Sequence, residues 1–296
     1  MKPDFRIVNL ETAITSSDNY WPGKGIHYRM HPDNIACLTA AGIDCCALAN
    51  NHILDWGYAG LAETLRTLQQ AGIAATGAGP TLAAARAPAT LSREDGRRTL
   101  VFSFGLSSSG IEARWAATGD RSGVSLLPDL SADSSGEVGR QVARHKQAGD
   151  IVIASIHWGG NWGYDVPGRA QRFARELIDD CGVDAVHGHS SHHPKGIEVY
   201  KNKPIIYGCG DLLNDYEGIR GHGDYRPDLA LMYFPVFSDS GQLDRFTVTP
   251  MQIRQFRLQR PSSDDTDWMA AMLNREGASL GTRVVRESNR LRVEWH

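Results

Sequence analysis

Two short apolar runs that each end in histidine constrain this chain most. The first, Ile-Val-Ile-Ala-Ser-Ile at 151–156, stops at His157-Trp158-Gly159-Gly160. The second, Asp-Ala-Val at 184–186, runs directly into His187-Gly188-His189-Ser190-Ser191-His192-His193. Both patterns predict buried strands opening into loops. Ligands gather beyond the carboxyl ends of the strands in an open α/β sheet, so groups about thirty residues apart can converge there. Four of the eleven histidines lie within 187–193, and neutral imidazole is a common ligand for transition metals. The competing reading, that these histidines cap turns or face water, carries less weight because both strand ends bear them.

The rest of the chain fits a parallel α/β protein. A strand at 5–8 ends at Asn9-Leu10-Glu11, and the turn-rich stretch 12–30 reads as a long loop on the active face. Pro32 opens a helix over 33–41 that Gly42 closes, and the strand 44–49 then ends in Asn50-Asn51-His52. Leu61, Leu65 and Leu68 form a helical stripe within 57–70, followed by a strand at 73–76. Segments 89–92 and 99–104 are expected to form a β-hairpin or a pair of adjacent strands, 107–135 a loop, and 137–148 and 167–180 helices. Beyond residue 190 the texture turns to antiparallel strands at 197–200, 204–207, 229–237 and 246–255. A charged helix at 264–275 and two short strands complete the chain. Residues 1–260 are expected to form the main domain and 261–296 a small appendage.

Composition narrows the class. Charged residues make up 22% of the chain, are interspersed, and sum to −3, so there is no basic surface for nucleic acid. The five cysteines include no CxxC pair, which argues against disulfides or a thiolate zinc site. The amino terminus lacks a signal-peptide apolar stretch and no segment reaches membrane-spanning length, so the expectation is a cytoplasmic protein without a membrane span.

The strand ends collect Asn9, Glu11, Asn51, His52, Asp55, His157, His187, His189, His192 and His193. Carboxylate or amide oxygen together with imidazole nitrogen suits Mn, Fe or Zn better than calcium. Taken singly each residue has a bland alternative, Asn51 as a helix cap and Glu11 as a surface carboxylate among them. Four successive strand ends closing on possible ligands are the specific signal.

Asn-Leu-Glu at 9–11, Leu-Ala-Asn-Asn-His at 48–52 followed by Asp55 and Gly57, Ile-His-Trp-Gly-Gly at 156–160, the stretch 186–200 and Ile-Ile-Tyr-Gly-Cys-Gly-Asp at 205–211 occur in a telling order. In these pieces, across about residues 6–216, the chain resembles the bacterial CapA family of poly-gamma-glutamate (capsule) biosynthesis proteins. The resemblance implies a calcineurin-like metallophosphoesterase fold with a pair of divalent metals. It makes Glu11 a bridging carboxylate, Asn51 and His157 metal ligands, and His52 the residue that meets the phosphoryl or leaving group, with Asp55 beside it as a catalytic residue. His189 and His192 would supply the last ligands. Ser190 stands where a family histidine would fall, which leaves the choice among His189, His192 and His193 open.

A metal-dependent hydrolase of a phosphoester or γ-glutamyl amide is the leading expectation, because paired metals generate hydroxide near neutral pH. The alternative is a non-catalytic carrier or scaffold for an anionic cell-surface polymer, since fold does not dictate reaction. Asn9, Lys24, His27, Arg29, Trp158 and His193 are the candidate substrate contacts, with Tyr20, Trp21, Trp162 and Tyr164 along the same groove; the aromatics have core packing as their equal alternative. The segment 105–109 misses a GxSxG elbow, and 77–80 lacks the Lys-Ser/Thr of a phosphate loop. CapA-like chains begin with a strand ending in Gly-Asp, whereas Met1 stands eight residues before Asn9. The resemblance therefore leads to the expectation of a further strand upstream, without which at most one metal binds tightly.

Overall fold

A computed structural model describes residues 2–216, 219 and 221–296. They form two compact units, one of the described residues within 2–158 and 179–183, the other of those within 159–178 and 184–296.

In the first unit, β1 (Ile7–Asn9), β4 (Cys45–Ala47) and β5 (Ala74–Thr76) form a parallel sheet in the order β1-β4-β5, with Asn9 opposite Ala47. Short strands β2 (Ala13–Ile14) and β3 (Arg29–Met30) pair across the base of the 15–28 loop. A 3-10 turn at Pro32–Ile35 and α1 (Ala36–Ala40) occupy the span expected to be one helix. The proline fixes the first turn, and the following residues then continue as α-helix only to the left-handed Gly42.

Helix α2 (Gly57–Gln70) buries Leu61, Thr64 and Leu68, the face that its helical spacing marks, against a core containing Ile14, Leu48, Ile53 and Trp115. Beyond it, β6 (Ala78–Gly79) pairs antiparallel with β9 (Gly123–Val124), and α3 (Leu82–Arg86) separates β6 from β7 (Ala89–Ser92). The hairpin of β7 with β8 (Arg98–Leu106) is as expected. Strand β10 (Leu126–Leu127) and strand β11 (Ile151–His157) flank β8, both parallel to it. Helix α4 (Ala132–His145) starts five residues earlier than its sequence suggests, because Ser131 accepts a hydrogen bond from the Ser134 N–H and caps it.

The second unit contains α5 (Gly168–Asp180) up to Ile178, β12 (Ala185–His189), β13 (Ile197–Tyr200) and β14 (Lys203–Ile206). Strand β14 runs parallel to β12 and antiparallel to β13. An antiparallel sheet follows, of β15 (Leu229–Phe237), β16 (Leu243–Arg254), β17 (Arg257–Gln259), β18 (Thr282–Glu287) and β19 (Arg290–Trp295). Helix α6 (Ser263–Gly277) lays Met269, Met272 and Leu273 on a core with Phe246, Val248, Leu291 and Val293. Residues 261–296 thus contribute α6, β18 and β19 to this unit.

The fold is α/β, with mostly parallel strands flanked by helices and antiparallel strands toward the carboxyl terminus. Among the described residues no helix is long and apolar enough to cross a membrane.

Candidate functional site

In the first unit, the carboxyl ends of β1, β4 and β11 bring Glu11, Asn51 and His157 together. Parallel pairing aligns the ends of β1 and β4, since Asn9 sits opposite Ala47 and the Leu10 N–H donates to the Ala47 carbonyl at 3.1 Å, while β11 ends beside them from the neighbouring sheet with β8. His157, fully buried, places Nε2 3.0 Å from Asn51 Oδ1 and 3.8 Å from Glu11 Oε1. Its carbonyl accepts the Ser109 hydroxyl at 3.0 Å, which anchors the end of β11.

Asn50, absent from the expected site residues, ties two of these strand ends. Its Nδ2 donates to Asn9 Oδ1 at 3.0 Å and to the Leu10 carbonyl at 2.8 Å, while its Oδ1 accepts the His52 N–H at 3.1 Å. Asn9 Nδ2 in turn donates to Glu11 Oε2 at 2.9 Å. Asn9 is therefore engaged in holding Glu11. The sequence signal for Asn50 was its position in the Asn-Asn-His run, which does not separate the two asparagines.

His52 and Asp55 form a hydrogen-bonded pair, Nδ1 to Oδ2 at 2.6 Å, on the turn that follows β4. Asp55 has no exposed surface, and its Oδ2 also accepts the Tyr28 N–H at 2.7 Å. The Tyr28 ring lies 4.2 Å from the His52 ring. Lys24 reaches the same place and binds Asp55 Oδ1 and the Asn51 carbonyl. His27 hydrogen-bonds the Trp21 carbonyl at 2.7 Å, and Arg29 donates to the Ser17 carbonyl at 2.8 Å while lying 4.3 Å over Trp56. Lys24, His27 and Arg29 are thus used in organising the loop around the His52 turn. Trp158 is 6% exposed and offers little surface.

The second unit holds the remaining candidates. His189 is buried at the end of β12. Ser190 follows with φ of 110°, a conformation strained for a residue with a side chain, and its hydroxyl donates to the Gly159 carbonyl at 3.1 Å. The His192 N–H donates to the Asn161 carbonyl at 3.0 Å, and its Nδ1 lies 3.1 Å from Asp211, which also accepts the Asn214 amide at 3.1 Å. Asp211 is absent from the expected site residues, although it lies in the Gly-Cys-Gly-Asp piece that carries the resemblance.

His193 is fully buried among aromatic rings, 4.5 Å from Tyr225 and 4.7 Å from Tyr164, with Nδ1 donating to the Pro194 carbonyl at 3.0 Å. Burial pushes its pKa down to about 4, so it is a neutral ring near pH 7.

Glu11, Asn51 and His157 offer carboxylate oxygen, amide oxygen and imidazole nitrogen, a donor set whose chemistry fits one divalent ion of the Mn, Fe or Zn type. Among the described residues no three His, Cys, Asp or Glu side chains form a group able to hold a metal, so the fit rests on the Asn51 amide as the third donor.

An α/β protein with polar groups converging at parallel strand ends is the class so defined. The chain belongs to the family of bacterial capsule synthesis protein PGA_cap, whose profile matches residues 1–216. It is 47% identical to a probable polyglutamine synthesis accessory protein of Mycobacterium tuberculosis, over 98% of this chain and 77% of that one. It is 28% identical to the PGA biosynthesis protein CapA of Bacillus subtilis, covering 85% and 62% of the two. A solved structure of a novel phosphatase from Mycoplasma pneumoniae overlaps 77% of this chain and 84% of its own, at a TM-score of 0.35 and 9% identity, a loose likeness that carries no argument about activity.

Proposed function

We propose that this capsule-synthesis relative is a metal-dependent hydrolase of calcineurin-like type, acting on a phosphoester or a γ-glutamyl amide in cell-surface polymer metabolism. The observation that carries the reading is the convergence of Glu11, Asn51 and His157 within the first unit, with the His52–Asp55 pair on the turn next to Asn51. Glu11, Asn51 and His157 would hold the first ion, and His189 and His192 are the ligands expected for a second. A bound divalent ion would acidify water and stabilise charge developing on phosphorus or carbonyl. Asp55 holds the Nδ1 proton of His52, which directs the opposite ring nitrogen to proton exchange with a leaving group.

The test is metal content together with turnover. His157→Ala is expected to lose bound Mn²⁺ and activity together, whereas replacing His145, an exposed residue of α4, is expected to change neither. His52→Ala is expected to lower turnover with metal content nearly unchanged. Full metal content in His157→Ala would refute the ligand assignment. Polymer binding by the metal-loaded protein without hydrolysis of any phosphoester or γ-glutamyl amide would replace the hydrolase by a carrier.

A further inference from the structure

We propose that Lys24 is a positioning residue for His52, acting through the buried carboxylate of Asp55; this rests on the reading of His52 as the group that meets the substrate. The geometry around Asp55 motivates it. Asp55 Oδ2 accepts two N–H donors, the Tyr28 backbone at 2.7 Å and His52 Nδ1 at 2.6 Å, and Oδ1 receives the Lys24 ammonium. A carboxylate with no exposed surface requires a counter-charge or a full set of donors. Lys24 supplies the charge, from a side chain that is only 15% exposed.

Its second contact places it in the site and not merely under the loop. The same ammonium donates to the carbonyl of Asn51, the residue before His52, and lies 4.9 Å from the centre of the Trp115 ring. One cation therefore holds the 51–55 turn at both ends. Because a carboxylate oxygen only accepts, the hydrogen bond to Oδ2 requires a proton on His52 Nδ1. The other ring nitrogen is then the one turned away from Asp55. Without the ammonium, the buried Oδ1 is left without its charged donor, the carboxylate is drawn toward other donors, and the geometry that fixes the His52 tautomer loosens.

A lysine that only pins the loop would leave the imidazole unchanged, and this separates the two roles. The experiment is nitrogen NMR of the full chain labelled at histidine, freed of metal by chelation, with the His52 signals assigned by their loss in His52→Gln. The expected result is an Nδ1-protonated His52 in the parent, a several-fold rise of the Nε2-protonated form in Lys24→Met, and recovery in Lys24→Arg. Asp55→Asn, which keeps the shape and removes the charge, is expected to disturb the tautomer in the same way. If Lys24→Met does not fold, Lys24→Gln gives the same readout. An unchanged His52 tautomer in a folded Lys24 variant overturns the proposal, whatever its thermal stability. With Mn²⁺ and a turned-over phosphodiester, Lys24→Met is expected to lower kcat about 10- to 100-fold at constant KM. A tautomer shift with no turnover even in the parent would leave the positioning role standing and remove the hydrolase reading instead.

Discussion

Replacing Asn50 with alanine removes the side chain that ties the end of β4 to the end of β1. Three hydrogen bonds are lost, at 2.8, 3.0 and 3.1 Å, to Leu10, Asn9 and His52. Asn50 has no exposed surface and Leu10 is 8% exposed, so water compensates poorly at the carbonyl left behind. At a net value of about 1 kcal/mol each, the three bonds amount to about 3 kcal/mol. For a unit of this size that corresponds to a fall in melting temperature of about 6–12 °C. Urea unfolding followed by tryptophan fluorescence measures it, with Trp21, Trp56, Trp115 and Trp158 in the same unit. The urea dependence should stay the same and the midpoint should fall. Asn50→Asp should be worse than Asn50→Ala, because it sets a carboxylate oxygen against the Asn9 Oδ1 and Leu10 carbonyl acceptors. A loss below about 0.5 kcal/mol in Asn50→Ala, or an aspartate milder than alanine, would refute the view that this amide organises the site.

Other positions give equally definite outcomes. Gly77 has φ of 91°, and a Cβ there would stand 2.5 Å from Ser103 Cβ and 2.9 Å from Ala49 Cβ; Gly77→Ala is expected to cost at least about 3 kcal/mol in the same unfolding assay, from backbone strain and overpacking together. The Arg98 guanidinium, hydrogen-bonded to Asp150, holds that carboxyl below its ordinary range, with the Gln147 N–H assisting. A depressed folded pKa means that this stabilisation is complete above the unfolded value of about 4 and is lost as pH falls through the folded one. Asp150→Asn should therefore be less stable than the parent at pH 7 and lose less stability on acidification from about pH 5 to 2; parallel pH profiles for the two proteins would contradict the assignment. Tyr207→Phe removes the hydroxyl that donates to the buried Glu198 at 2.5 Å, while Arg175 continues to pair with that carboxylate at 2.7 Å; a loss of about 1–3 kcal/mol is expected, measured by urea unfolding, and an unchanged midpoint would show that Arg175 alone suffices.

Local pattern made much of this protein legible. The strands ending at Asn9, Ala47 and His157, the helix over 57–70 and the hairpin of β7 with β8 follow from runs of apolar residues broken by turn formers, which act over a few residues. The histidines of 187–193 and the Asn-Asn-His run were visible for the same reason, because ligand-type side chains stand next to strand ends. The start of α4 was not, since Ser, Gly and Asp at 131–136 read as loop. Ser131 instead caps the helix, and Ser134 and Ser135 pack inward on it. Tertiary structure alone brought Glu11 to within 3.8 Å of His157 across 146 residues of chain, by packing the end of β1 in one sheet beside the end of β11 in another. It also moved Lys24 from an expected substrate contact to the carboxylate of Asp55, and gave Asn50 rather than Asn51 the structural bonds. Neither outcome is encoded in periodicity. A buried charge must find its partner wherever the fold delivers one, and that partner depends on the packing of segments tens of residues away.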